Sequence, residues 1–102
     1  MSKIAIDFDG VICKREGIPT KEDWTESVPM PGAKEAIKMF IKLGHEVWVF
    51  TSNPDRTKVK SWLNLYNFPE LEITNIKKPC HIIIDDRAIR FTSWQDIRKY
   101  IN

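Results

Sequence analysis

Four short apolar runs, separated by segments of helical periodicity, constrain the fold of this chain more than any other feature. They occupy 3–8, 46–51, 71–75 and 81–85 (KIAIDF, EVWVFT, LEITN and HIIID). The runs are rich in Ile and Val, and three of them are almost continuously apolar, which is typical of parallel strands covered on both faces. Because strand and helix alternate, we predict a three-layer, doubly wound, Rossmann-like α/β fold with a mostly parallel sheet.

Two helical patterns fill the intervals between the first three runs. In 31–43 the apolar residues recur at helical spacing, and Gly44 suits the C-terminal cap. In 55–66 they repeat at i, i+3, i+4 and i+7. We expect Asn53 to be the N-cap of this second helix, with Pro54 at its first position.

The segment 94–101 is predicted to form a C-terminal helix. Ser93 precedes it and can cap its first turn. Trp94, Ile97 and Ile101 fall on one side of this helix. We therefore expect these three side chains to dock the helix on the sheet.

The 102 residues suit one domain, and no repeat, linker or low-complexity segment marks a boundary. We therefore predict a single domain over 1–102. The segment 12–30 has no clear period, and we expect a loop or flap near the site, because loops this long are usually functional or mobile. Trp24 within it could anchor the loop in the core or stack on a base or sugar.

Composition excludes several classes of protein. The formal charge of +2, from 16 basic and 14 acidic residues, is too small for a dedicated nucleic-acid binder. No apolar run is long enough to span a bilayer, and the first residues do not resemble a signal peptide. The two cysteines and the two histidines lack metal-ligand spacing, so we interpret His45 and His81 as structural. We expect a cytoplasmic protein without a membrane partner.

Polar side chains lie at the C-terminal ends of three of the predicted strands. They are Asp7 and Asp9 at the first, Thr51, Ser52 and Asn53 at the second, and Asp85 and Asp86 at the fourth. Parallel strands bring these ends to one edge of the sheet, where ligands of such folds bind. Clustered carboxylates need a cation, and oxygen ligands suit Mg²⁺. With Lys77 and Lys78 nearby and a helix N-terminus after Asn53, the pattern favours phosphoryl chemistry.

Four motifs in order, DFDGV, VWVFTS, a lysine in NIKKP, and IIIDD, span nearly the whole chain. In this order they resemble the haloacid dehalogenase (HAD) superfamily of phosphohydrolases. The resemblance implies an HAD-like core. Neither the interval from Asp9 to Pro31 nor that from Ser52 to Asp85 has room for a full cap domain, so the chain resembles the small capless members.

The resemblance also implies a role for each matched residue. Asp7 would be the nucleophile that forms an aspartyl-phosphate, and Asp9 the acid and base. Thr51 would bind phosphoryl oxygens, and a lysine would neutralise developing charge. Mg²⁺ would be held by Asp7, Asp9 through its backbone carbonyl, and Asp85, with Asp86 orienting the lysine or a metal-bound water.

The remaining assignments are less specific. Lys77 is preferred as the site lysine because Lys78 is tied to Pro79 and the start of the fourth strand. Substrate binding is assigned to Ser52, Asn53, Lys78 and Arg87. A structural cap is the simpler interpretation of Asn53, and a solvated surface that of Arg87.

The sequence therefore predicts a Mg²⁺-dependent phosphatase that hydrolyses a phosphate monoester. The partner would be a small phosphorylated substrate, such as a nucleotide, or a phosphorylated nucleic-acid end. Two alternatives stay open: a receiver-like regulatory module, which also places acids, a hydroxyl and a lysine around Mg²⁺, and a catalytically silent HAD-like binding protein. The motif order favours the hydrolase. Whether the chain is a monomer or a homo-oligomer is undetermined by the sequence.

Overall fold

Four parallel strands form the sheet of this small α/β protein. The structure, a computed structural model, describes residues 1–15 and 22–101. The strands are β1 (Lys3–Ile6), β2 (Glu46–Phe50), β3 (Glu72–Thr74) and β4 (Ile82–Ile84). They lie in the order β3-β2-β1-β4, and every neighbouring pair is parallel. The predicted strands are confirmed, each within its predicted range.

Helix α1 (Ala33–Lys42) connects β1 to β2, and helix α2 (Arg56–Leu65) connects β2 to β3. Both predicted helices are confirmed. Gly44 follows α1 with a φ of +90°, a conformation that glycine adopts without strain and that ends helices.

The N-cap of α2 is Asp55, and the expectation that Asn53 caps this helix is wrong. The Asp55 carboxylate accepts the backbone N–H of Lys58 at 3.1 Å, so it satisfies one of the free amides of the first turn. Asn53 lies two residues earlier, where its side chain accepts the N–H of Asp55 at 3.0 Å. Pro54 therefore lies before the helix and not at its first position.

The C-terminal helix α3 is shorter than predicted. Ser93 caps it as expected, and its hydroxyl accepts an N–H of the first turn at 3.1 Å. However, α3 spans only Trp94–Ile97 and is followed by a 3-10 turn at Arg98–Tyr100. Trp94 is 73% exposed and Ile101 69% exposed, so the predicted docking through these two side chains is wrong. A single turn is too short to align them on one helix face.

One face of the sheet forms the apolar core together with α1 and α2. The β1–β2 and β2–β3 crossovers run in the same direction, so right-handed connections place both helices on that face. The buried side chains of this core from the sheet and the two helices are Ile4, Ile6, Val49, Ile37, Val59, Trp62 and Leu63. Ala5 and Trp48 alternate with the core residues and are buried on the opposite face.

The two ends of the segment 12–30 pair with each other through backbone hydrogen bonds. Backbone hydrogen bonds of 2.8 and 2.9 Å join residues 12–14 to residues 28–30. A 3-10 helix, Glu22–Glu26, lies between them. The part of the predicted flap at 16–21 lies outside the described residues.

Trp24 anchors this segment in the core. It is 6% exposed, and its ring meets the Phe8 ring edge-on at 5.5 Å between centroids. The indole N–H of Trp62 and the hydroxyl of Tyr66 both donate to the Ser27 carbonyl, at 3.0 and 3.2 Å, and so tie the segment to α2. Of the two interpretations of Trp24, the structural anchor is confirmed, because a ring this buried has no face left for a base.

His45 and His81 are structural, as predicted. Nδ1 of His45 accepts the backbone N–H of Ser2, and Nδ1 of His81 accepts that of Lys3, both at 2.9 Å. These bonds fasten the start of β1 to the residues that precede β2 and β4.

Candidate functional site

Three carboxylates meet where β1 and β4 end. Asp7, Asp85 and Asp86 can each offer one oxygen such that all three oxygens lie within 4.8 Å of one another. The N–H of Asp7 donates to the Ile84 carbonyl at 2.9 Å, which extends the β1–β4 pairing and brings Asp7 beside Asp85. The chain crosses from one side of β1 to the other between β3 and β4, so this edge is the topological switch point of the sheet.

Asp7 is a weaker acid than an ordinary aspartate, because its pKa is raised. Burial, followed by the charge of Asp85, raises the pKa of Asp7 to about 6, and the charges of Asp86 and Asp9 add to the rise. The N–H of Phe8, which donates to Asp7 Oδ1 at 2.9 Å, opposes it. A half-buried carboxylate with two like charges beside it gains from a cation among them. A donor set of carboxylate oxygens alone fits a hard ion such as Mg²⁺.

The turn after β1 holds the second predicted acid and the glycine of DFDGV. Phe8 is fully buried, and its carbonyl accepts the N–H groups of Ile12 and Cys13 at 3.0 and 2.9 Å. Gly10 has a φ of +83°, and a Cβ atom built there would collide with a carboxylate oxygen of Asp86. The positive φ favours glycine at this position, and any side chain there would displace the carboxylate of Asp86.

The carboxylate of Asp9 lies outside the group of three. Its Oδ1 is ion-paired with Nη2 of Arg15, and the two side chains are 34% and 23% exposed. Arg15 was not among the residues predicted from the sequence. A single arginine in an aperiodic loop carries no signal that separates it from a solvated surface charge.

The three polar residues after β2 differ in their environments. Thr51 is 3% exposed, and its N–H donates to the Thr74 carbonyl at 2.9 Å. Its hydroxyl oxygen accepts the N–H of Asn53 at 3.1 Å, so the O–H proton can still be donated to another acceptor. Ser52 is exposed. The amide oxygen of Asn53 is engaged by the N–H of Asp55.

The two lysines before β4 also differ. Nζ of Lys78 lies 2.5 Å from a carboxylate oxygen of Glu72 and 4.3 Å from the ring centre of Trp48, so its charge is already paired. Lys77 is exposed and forms no ion pair with any of the described residues.

Arg87 borders the carboxylates through its backbone. Its N–H donates to Asp85 Oδ1 at 2.8 Å, which orients that carboxylate. Its guanidinium side chain is 85% exposed and lies 3.9 Å from Asp86 Oδ1. In water such an exposed pair contributes little.

A cleft of about 480 Å³ lies beside Asp85. The side chains that line it from β4 and the following segment are Cys80, His81, Ile83, Asp85, Ala88, Ile89, Arg90 and Phe91. Its walls combine polar and apolar side chains next to one carboxylate of the group.

No protein-family model, curated protein or solved structure matches this chain. Among the described residues, no helix has the length and apolar character needed to cross a membrane.

Asp7 should make the metal-free protein less stable as the pH rises. Because its pKa is raised above the ordinary value of 3.8 to about 6, folding favours the protonated form, and this contribution is lost as the pH rises through about 6. With EDTA present, Asp7→Asn should be more stable than the wild type at pH 7, by about 1 kcal/mol, a figure reduced because Asp7 is only half-buried. The difference in the free energy of unfolding between the two proteins is measured by urea unfolding at pH 4 and pH 7. An advantage of Asp7→Asn that is no larger at pH 7 than at pH 4 would contradict this assignment.

Gly10→Ala should destabilise the protein more than Gly32→Ala. The two glycines share a φ of +83°, but only Gly10 has a neighbour within 4 Å of the added Cβ, namely Asp86. Gly32→Ala should cost about 1–2 kcal/mol for the left-handed backbone alone. Gly10→Ala should cost more than this, because the Asp86 carboxylate must also move aside. Equal losses in urea unfolding would contradict this expectation and show that the Asp86 carboxylate moves aside at no cost.

Proposed function

We propose that this protein is a Mg²⁺-dependent, capless HAD-like phosphohydrolase that cleaves a phosphate monoester through an aspartyl-phosphate. The observation that carries the proposal is the convergence of Asp7, Asp85 and Asp86 at the switch point of an all-parallel sheet. The HAD-like core is part of the proposal, and a third layer in it would have to come from the C-terminal residues, because α1 and α2 cover the same face of the sheet. The β3-β2-β1-β4 order, with Asp7 after an interior strand, supports it.

Asp7, Asp85 and Asp86 are the residues that would hold the ion, and Asp9 would contribute its backbone carbonyl. When bound, Mg²⁺ would neutralise the charge of the carboxylates and of the phosphoryl group, so that an anion can approach an anionic site. Arg87 supports this arrangement because its N–H fixes one oxygen of Asp85.

The nucleophile would be the second oxygen of Asp7. Oδ1 accepts the N–H of Phe8, which fixes the carboxylate and leaves Oδ2 for attack. Oδ2 forms a bond to phosphorus as the ester P–O bond breaks, and the electron pair goes to the leaving oxygen. Asp9 gives that oxygen its proton. Asp9 then takes a proton from water as the water oxygen attacks phosphorus and releases Asp7 and inorganic phosphate.

Thr51 and a lysine would bind the phosphoryl oxygens. The Thr51 hydroxyl is held by the N–H of Asn53 and retains a proton to donate. Lys77 is the better candidate for the lysine, because the charge of Lys78 is paired with Glu72 and covered by Trp48. Ser52 is exposed beside Thr51 and could contact the rest of the substrate.

The substrate would be a small phosphorylated molecule, such as a nucleotide, or a phosphorylated nucleic-acid end. The cleft beside Asp85 combines apolar side chains, such as Ile89 and Phe91, with the cation of Arg90, which suits an organic group that carries a phosphate. The absence of room for a full cap supports a site that is open to a larger substrate.

Phosphate release tests the proposal. Wild type, Asp7→Asn and the exposed control Glu35→Gln would be assayed with p-nitrophenyl phosphate, nucleotides, sugar phosphates and a 5′-phosphorylated oligonucleotide, with Mg²⁺ or with EDTA. We expect EDTA and Asp7→Asn each to lower kcat by at least about a hundredfold, while Glu35→Gln behaves as wild type. Activity that survives Asp7→Asn would overturn the nucleophile, and a wild type inactive across the panel would overturn the hydrolase. Stable acyl phosphate on Asp7 without turnover would indicate the receiver-like module instead.

A further inference from the structure

We propose that Arg15 is a positioning residue that holds the carboxylate of Asp9 for proton transfer, an inference that rests on the proposed function. Nη2 of Arg15 donates to Oδ1 of Asp9, and both side chains are less than half exposed. This pair is the only one of the ion pairs among the described residues that engages Asp9. It ties the predicted acid and base to the segment that follows the DFDGV turn.

The arginine is itself held in place by Trp24. The guanidinium carbon lies 5.2 Å from the centre of the Trp24 ring, within the range of a cation–π contact. Trp24 is buried, and its ring packs edge-on against Phe8, the residue between Asp7 and Asp9. A planar guanidinium held over a fixed indole loses little further entropy when it binds a carboxylate.

The geometry leaves one oxygen of Asp9 for chemistry. Oδ1 is engaged by Arg15, while Oδ2 has no hydrogen-bond partner among the described residues. Oδ2 is therefore the atom that would give its proton to the leaving oxygen and later take one from water. Proton transfer requires the donor to lie within hydrogen-bond reach of the reacting oxygen. Without Arg15 the carboxylate would rotate freely and spend less time in reach.

The other basic residues near the site do not provide this contact. Lys78 is bound to Glu72, and the side chain of Arg87 is 85% exposed beside Asp86. Arg15 is thus the cation that the structure places on the acid and base, at a position where the sequence pattern gave no hint of it.

The test compares two substrates of nearly the same shape that differ in their need for a proton. p-Nitrophenolate leaves without protonation at neutral pH, whereas phenolate, with a pKa of about 10, benefits from an acid. Wild type, Arg15→Met, Arg15→Lys and the exposed control Arg98→Met would be assayed with p-nitrophenyl phosphate and phenyl phosphate in Mg²⁺. We expect Arg15→Met to lower kcat on phenyl phosphate at least about tenfold more than on p-nitrophenyl phosphate, with KM little changed. Arg15→Lys should restore part of this difference, and Arg98→Met should behave as wild type.

Other outcomes separate the possible failures. Equal losses of kcat on both substrates would overturn the inference and leave Arg15 a purely structural role. A rise in KM on both substrates with kcat unchanged would overturn it in favour of phosphate binding. If Arg15→Met fails to fold, Arg15→Lys alone provides the test. Arg15→Lys that is as active as the wild type on both substrates would then overturn the inference. A wild type that is inactive, or whose activity survives Asp7→Asn, would overturn the proposed function and this inference together.

Discussion

The parallel pairing of β1 with β4 is the contact on which the candidate site depends. Its register sets Ile6 beside Ile84, so the next residues along the two strands, Asp7 and Asp85, leave the sheet side by side. The hydrogen bond from the Asp7 N–H to the Ile84 carbonyl fixes this arrangement. A shift of one residue would turn the side chains to the opposite face and separate the carboxylates. Backbone hydrogen bonds therefore hold the carboxylates together against their mutual repulsion.

The turn after β1 links this sheet edge to the rest of the molecule. Phe8 is buried against Trp24 and Trp62, so the residue between the two predicted catalytic acids belongs to the core. Gly10 then lets the chain pass against Asp86. The same packing holds Trp24, and through it Arg15, near Asp9. The side chains of the candidate site thus project from a framework that is fixed by apolar contacts.

The sequence predicts the strands, the first two helices and the convergence of Asp7 with Asp85 and Asp86, because apolar periodicity and the positions of strand ends depend on local pattern. Prediction from the sequence fails where two residues could fill the same role, or where the outcome depends on helix length or on the path of a loop. Asn53 and Asp55 can both cap a helix, and only the backbone geometry selects Asp55. The apolar spacing of Trp94 and Ile101 does not determine the length of the helix. Because the helix ends at Ile97, both side chains remain exposed. The pairing of Asp9 with Arg15 depends on a loop path that no periodicity encodes.

The measurement that tests this account most directly is calorimetric titration of Mg²⁺ into the metal-free protein at pH 7, for wild type, Asp85→Asn and Asp55→Asn. Asp55 also follows a strand and is acidic, but it caps α2 and lies outside the group of three carboxylates. We predict a single Mg²⁺ site in the wild type, affinity lowered at least about tenfold in Asp85→Asn, and unchanged binding in Asp55→Asn. Wild-type protein that binds no Mg²⁺, or Asp85→Asn that binds it as tightly as the wild type, would contradict the central claim.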